Sequence, residues 1–350
     1  MELQPTSFLP REVEAVLDAY DLGNVSAVKK FRAGSPYSPK AIIETDRGEF
    51  LLKRRAPGRD EPLKVAFAHE LQVYLRDRQF PLPHLQGTRA GNNTILQLHG
   101  AVYEVFEYLP AAPYDRSPTA AHDAGRVLAL YHKLLERYKA AFQPPSGCIH
   151  DNADVQRILE SRLKVIKQGG DDGIPVSYLD ELRATFGALR VAYNEACQQA
   201  NRLGLPGWPP QITHSDWHPS NVLFIDQLVV GVIDFDSARI QVRAVDVANA
   251  AVQFCTFFEK GTDPALWPAE INVPLFQAFI AGYDSVNILS SAELESVPHL
   301  MIEAIITEPV LAAQRARNIS ELDPYIPWLE MARRKSSWIQ DHVDSTLEHL

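Results

Sequence analysis

ITHSDWHPSNVLFIDQLVVGVIDFD, residues 212–236, is the stretch on which the reading of this chain turns. An apolar entry leads into a polar loop, two apolar runs meet at a turn, and a pair of acids follows. Without the scaffold there remain His214-x-Asp216-x-x-x-x-Asn221 and then Asp234-Phe235-Asp236. That set suits phosphoryl transfer. One carboxylate takes the proton of an attacking hydroxyl, while an amide oxygen and a second carboxylate hold Mg²⁺ on nucleotide phosphates. Residues 222–224 and 228–233 read as a β-hairpin, which predicts that Asn221 and Asp234 stand side by side. Asp216 is therefore the candidate base, and Asn221 and Asp234 are candidate metal ligands through the hard oxygens that Mg²⁺ prefers. Asp236 is either a further metal ligand or a partner of the loop after it, and His214 reads as an anchor of the loop.

HSDWHPSNVLF and GVIDFDSA resemble the catalytic loop and the metal-binding strand of the superfamily of aminoglycoside phosphotransferases, choline kinases and type II homoserine kinases. AYDLGNVSAVKKF (19–31) and FIAGYDSVNILSSAELESVPHL (279–300) are similar to the homoserine kinases in particular. One departure is Asp236: an Asp-x-Asp-x-Ala-Arg pattern is closer to bacterial stress-response kinases that act on protein serine or threonine. The resemblance implies an α+β, bilobal, protein-kinase-like fold. A five-stranded antiparallel small lobe over residues 1–109 would make the ATP phosphate and adenine contacts. A mainly helical large lobe over 110–350 would carry the catalytic loop, metal site and acceptor site. ATP and Mg²⁺ are the implied cofactors, and an alcohol group is the implied acceptor. A small-molecule hydroxyl is expected, with amino alcohols such as homoserine or choline leading. An aminoglycoside, or a protein hydroxyl as in the stress-type kinases, is the alternative. Asp246 matches the family's acid that braces the catalytic loop from the next helix.

Upstream, residues 25–31, 40–45 and 49–53 read as three strands after an amphipathic helix that begins at Pro10. AGSPYSP (33–39) falls where the family's phosphate loop lies, with Ser35 as its candidate contact. It has one glycine and two prolines, so it is stiffer than a glycine-rich loop. Lys53 occupies the family's phosphate-contacting position. KVAFAHELQVYLR (64–76) is a helix from whose middle Glu70 projects, the expected ion-pair partner of Lys53. A hairpin around His99-Gly100 then runs into Pro110-Ala-Ala-Pro113, the hinge by resemblance. There Glu107 and Leu109 are assigned to adenine through backbone groups alone. From Ser117, an N-cap followed by Pro118, the pattern turns helical. His132 reads as a buried, hydrogen-bonded helix residue. Further helices are predicted over 155–167, 178–202, 244–258, 274–283 and 325–350, with GGDDGIP (169–175) as a loop and 292–312 broken or kinked at Pro298 and Pro309. Only about ten residues follow Asp236 before the next helix, too few for the shelf on which a protein kinase lays a peptide. Arg239 and Arg243 are expected to hold that segment in place.

A net charge of −10 argues against a general nucleic-acid binder. Three scattered cysteines, no secretory leader and no apolar run of membrane-spanning length point to a cytoplasmic protein with free thiols and no membrane partner. Two other classes remain open. His214-x-Asp216-x-His218, with His150 and Asp151, is the donor set of a metal-dependent hydrolase. A non-catalytic nucleotide-binding pseudokinase is the other.

Overall fold

The structure is a computed structural model in which residues 7–32, 34–35, 37–167, 174–259 and 261–347 are described, Asp344 by its backbone alone. In chain order they form α1 (Pro10–Leu17), β1 (Val25–Phe31), β2 (Lys40–Thr45), β3 (Gly48–Arg54), α2 (Pro62–Arg76), β4 (Leu96–Leu98) and β5 (Ala101–Glu107). Next come α3 (Pro118–Leu135), α4 (Ala153–Lys167), α5 (Val176–Arg202), β6 (Pro210–Thr213), β7 (Val222–Ile225), β8 (Leu228–Val232) and β9 (Arg239–Val242). The chain ends with α6 (Arg243–Cys255), α7 (Val273–Asp284), α8 (Ser291–Ala313), α9 (Ile326–Asp341) and α10 (Val343–Leu347). It divides into two compact units. The first holds Met1–Tyr114, Arg137–Pro145 and Ser220–Ala238; the second holds Asp115–Glu136, Ser146–Pro219 and Arg239–Leu350.

In the first unit, five antiparallel strands lie in the order β1-β2-β3-β5-β4. Register sorts their side chains into two faces, because directly paired residues point the same way and neighbours along a strand point opposite ways. Ala41, Leu52 and Val105 fall on one face with Ile43 and Tyr103, and pack on Val13, Val16 and Tyr20 of the α1 region. Arg54 is on that face too and pairs with Glu12 of α1. The opposite face carries two rows, Lys40–Lys53–Glu104 and Ile42–Leu51–Phe106. The β7–β8 hairpin turns through Asp226 and Gln227, both at positive φ (48° and 67°), the geometry whose twist matches two antiparallel strands.

The second unit is mainly helical. α3 and α7 pack backbone to backbone: a Cβ on Gly125 would lie 2.0 Å from the Phe279 carbonyl oxygen, and one on Gly282 would lie 1.9 Å from that of His122. Ser117 caps α3 by accepting from the Ala120 amide, as its position predicts. Three expectations need correction. Pro298 and Pro309 do not break α8, which is one 23-residue helix. Packing against α5, α6 and α9 outweighs the lost amide donors. By length and composition α8 is also apolar enough to cross a membrane, contrary to the expectation that no run approaches that length, but it is mostly buried within the protein. Finally, the short segment after Asp236 is not merely a loop. Arg239–Val242 forms β9, antiparallel to β6, and runs directly into α6. The predicted loop at 169–175 lies largely outside the described residues, as do residues 348–350 of the last predicted helix.

Candidate active site

The first unit places Lys53 opposite Glu104 by strand register alone. The Lys53 ammonium is 3.5 Å from one Glu104 oxygen and 4.0 Å from Asp236. Glu104 is completely buried, and its other oxygen accepts from Arg55 Nε at 2.7 Å and meets His69 Nε2 at 2.6 Å. Burial opposes the charge on Glu104, but Lys53, His69 and Arg55 outweigh it and hold the carboxyl below its ordinary pKa. Burial likewise opposes the charge on Lys53, and Glu104 and Asp236 overcome it to raise the ammonium's pKa. The expected pair between Lys53 and Glu70 does not form. Glu70 instead accepts from the Ala141 and Phe142 amides at 2.9 and 3.3 Å, tying residues 137–145 to α2. Successive helix positions point about 100° apart, so when His69 faces Glu104, its neighbour Glu70 faces elsewhere.

Asn221 and Asp234 meet at the base of the β7–β8 hairpin, where the Ile233 amide donates to the Asn221 carbonyl at 2.9 Å. Asp234 adopts the left-handed conformation (φ 64°), which Asp tolerates better than most residues, at the start of the 3₁₀ turn Phe235–Ser237. Asp236, a predicted metal ligand, lays both oxygens on Arg55 instead, at 2.8 and 2.9 Å. A fork-to-fork pair with guanidinium is the favoured geometry for a carboxylate in such a place. In the phosphate-loop region, the Ser35 hydroxyl accepts from the Tyr37 amide at 3.3 Å and its carbonyl from the Ser38 amide at 3.2 Å. Ala33 and Pro36 of that loop lie outside the described residues. At the predicted hinge, the Glu107 amide donates to His84 and that of Tyr108 to Glu49. Among the described residues, the Leu109 amide donates to no backbone carbonyl. The Leu109 side chain reaches Gly231, where a Cβ would come within 2.8 Å of it.

The second unit builds the loop of the candidate base. Asp246, fully buried on α6, accepts from the His214 amide at 2.9 Å, the Ser215 amide at 2.8 Å and His132 Nε2 at 3.0 Å. His132 Nδ1 meets the Tyr283 hydroxyl at 2.8 Å, so α3, α6 and α7 all hold the loop. Burial again opposes the charge on Asp246, and contacts with His132 and His214 hold its carboxyl below the ordinary value. His214 is buried, edge-on to Trp217 at 5.4 Å and to Tyr131 at 5.9 Å, the anchoring role its position predicts. Ser215 takes positive φ (64°), a strain offset by its amide's bond to Asp246. Asp216 emerges with its side chain 38% exposed, its carboxylate 3.5 Å from His218 Nε2. Arg243, where β9 meets α6, ties the segment after Asp236 to Glu293 of α8 and to Asn287 and the Ile288 carbonyl just before that helix.

The donor set of the hydrolase reading does not assemble. His214 faces the core, and Asp151 accepts from Gln156. His150 lies against Glu303, joined by Cys197, and among the described residues this is the one trio close enough to hold a metal. Its buried carboxylate already accepts from His150, the Asp151 amide and the Cys197 thiol. Hydrogen bonding satisfies it without an ion.

A model of the phosphotransferase enzyme family matches residues 31–289, about three quarters of the chain. The chain belongs to that family. A homoserine kinase of Sinorhizobium medicae is 26% identical to this phosphotransferase over 300 residues, covering 84% of the chain and 81% of the relative. Among solved structures, an aminoglycoside phosphotransferase from Alicyclobacillus acidocaldarius shares the fold at a TM-score of 0.71 and 16% identity, covering 99% of this chain and 98% of that one. A microcompartment-associated aminopropanol kinase does so at 0.67 and 15%, covering 95% and 97%. Sequence reasoning missed Glu104, Arg55 and His69 of this phosphotransferase. The one available signal was Glu104, an acid in the middle of the apolar run AVYEV (101–105), with the cluster KRR at 53–55 as candidate partners.

Proposed function

We propose that this phosphotransferase moves the γ-phosphoryl group of ATP, in a Mg²⁺-dependent reaction, to the hydroxyl of a small amino alcohol, homoserine being the leading candidate. The observation that carries the reading is the bracing of the Asp216 loop. Asp246 and His132 fix residues 214–215, and the one carboxylate of the loop is left solvent-accessible at its crest. Asp216 accepts the acceptor's hydroxyl proton as that oxygen bonds to the γ-phosphorus and the bond to ADP breaks. Five residues later along the same loop, Asn221 offers an amide oxygen, and the hairpin returns the chain at the Asp234 carboxylate. These are the hard donors that suit a divalent cation, so the residues present fit Mg²⁺. When bound, Mg²⁺ supplies charge neutralisation on the phosphate oxygens. Lys53, oriented by Glu104, draws the phosphates into line. Ile42, Leu51 and Phe106, half-buried on the same sheet face, form an apolar floor for a base, and the Leu109 amide supports a hinge contact to it. Ser35 is assigned to the phosphates, while Glu70 and Asp236 serve as structural anchors of the nucleotide side.

Two features support a small acceptor. The segment after Asp236 is used up in β9, which leaves no length for a peptide shelf. Glu308 of α8 reaches solvent, yet partial burial and then the nearby Asp216 charge raise its carboxyl pKa, His218 opposing. Carboxylates crowded in this way favour a cationic amine. The names of the relatives, homoserine kinase and aminopropanol kinase, fit the same class. An ATP-consumption screen over amino alcohols, aminoglycosides, sugars and protein substrates tests the proposal. Turnover on an amino alcohol is expected. Stoichiometric phosphorylation of protein serine or threonine, with none on any amino alcohol, would overturn it.

A further inference from the structure

The second unit brings three donors of different chemistry to one point that the phosphotransfer machinery does not use. His150 comes from the segment before α4, Cys197 from α5 and Glu303 from α8, and one donor atom of each lies within 4.8 Å of the others. His150 Nδ1 is 2.9 Å from one Glu303 oxygen, and Cys197 Sγ is 3.0 Å from the other. Glu303 and Cys197 are buried, whereas His150 is only partly so. The imidazole is already oriented from behind: its Nε2 lies 3.1 Å from the Asn201 side-chain oxygen, which turns Nδ1 towards the other two donors. The Asp151 amide fixes the shared carboxylate in the same way, at 3.0 Å. Outer partners of this kind are what hold metal-ligating histidines and carboxylates in place. The hydrogen bonds within the trio satisfy it in the ion-free state, but each of them runs through a proton, one between imidazole and carboxylate and one on the thiol. A cation can replace both. For merely joining helices, apolar side chains of similar volume usually serve at least as well as a buried charged pair.

We propose that His150, Cys197 and Glu303 form a zinc site, with water completing the tetrahedron, that ties the segment before α4 to α5 and α8. Thiolate, imidazole and carboxylate together suit Zn²⁺ and not Mg²⁺, which takes oxygen ligands. Zinc bonds of about 2.0–2.3 Å put ligand atoms about 3.3–3.8 Å apart, so the trio adjusts by about an ångström or less. Binding releases two protons, that of the thiol and the one shared by His150 and Glu303, and leaves the thiolate and carboxylate to balance the charge of the ion. The proposal does not depend on the phosphotransfer reading.

Full-length protein, dialysed against a chelator and free of any tag, is titrated with Zn²⁺ in competition with a chromophoric chelator and without nucleotide. One ion per chain and the release of two protons are expected. Co²⁺ in place of Zn²⁺ should give an intense thiolate-to-metal charge-transfer band, a signature that a purely structural cluster does not produce. Cys197→Ala should abolish the band, and His150→Gln should weaken Zn²⁺ by at least about tenfold, what loss of even an outer partner costs. Cys148→Ala, which removes the nearby thiol outside the trio, should leave band and affinity intact. That last variant keeps the test decisive if Cys197→Ala fails to fold. Absence of stoichiometric Zn²⁺, a Co²⁺ complex without the thiolate band, or a band that survives Cys197→Ala or is lost with Cys148→Ala overturns the proposal.

Discussion

Asp216 and Glu104 are both acids in a charged neighbourhood, yet their surroundings set opposite roles. Asp216 is half-exposed beside His218, whereas Glu104 is wholly buried among Lys53, Arg55 and His69. Asp216→Asn keeps the shape and removes the proton acceptor. Turnover should fall by about 10²–10⁴-fold with ATP affinity unchanged, read by steady-state kinetics and equilibrium binding. A variant that retains nearly full turnover would remove Asp216 from the base role. Glu104→Gln leaves three basic side chains without their buried counter-charge, and breaking such a cluster costs about 3–5 kcal/mol. Denaturant titration should show that loss, and ATP binding should weaken more than in Glu70→Gln. If Glu70→Gln proves the more damaging for ATP, the nucleotide side is wrongly assigned.

Among the elements, α3 and α7 approach backbone to backbone, and both helices bear on the base loop: His132 of α3 and Tyr283 of α7 complete the chain of hydrogen bonds that ends at Asp246. Gly282→Ala forces a methyl group against the His122 carbonyl and should destabilise the protein by about 1–3 kcal/mol, the usual cost of overpacking. Gly187→Ala on α5 meets nothing within 4 Å and should instead be neutral or stabilising by about 0.5–1 kcal/mol, through helix propensity. Chemical denaturation of the two variants side by side checks both. Equal effects would mean that helix propensity and not the close approach governs Gly282.

For the molecule as a whole, stability should carry a pH signature from Lys335. It is buried on α9, with its ammonium donating to the Pro268 carbonyl at 2.7 Å. Burial, with Arg334 adding to it, pushes its pKa down from 10.5 to about 8. Between those values the unfolded chain holds the proton more firmly than the folded one, so stability from this group rises with pH across that window. At about 1.4 kcal/mol per unit, the rise is on the order of 3 kcal/mol. Lys335→Met should remove it, visible as a flatter stability profile from pH 8 upward in denaturant titrations of the two proteins. An unchanged profile would show that Lys335 finds water or a partner when charged.

Much of this was legible in the sequence because it is local. The 212–236 stretch names its own hairpin, and Ser117-Pro118 its own helix start, since turn chemistry and capping act over a few residues. Asp246 was legible only through family resemblance, and His132 only as a buried, hydrogen-bonded helix residue whose partners stayed unnamed. What the sequence could not supply was partner choice across distance. Lys53 pairs with Glu104 and not Glu70 because strand register sets one and helical phase turns away the other. Asp236 goes to Arg55, 181 positions away, and α8 stays whole through two prolines because its neighbours bury it. Register, helical phase and burial arise only when elements pack. A charged side chain in this protein therefore has a meaning that its own stretch of sequence does not contain.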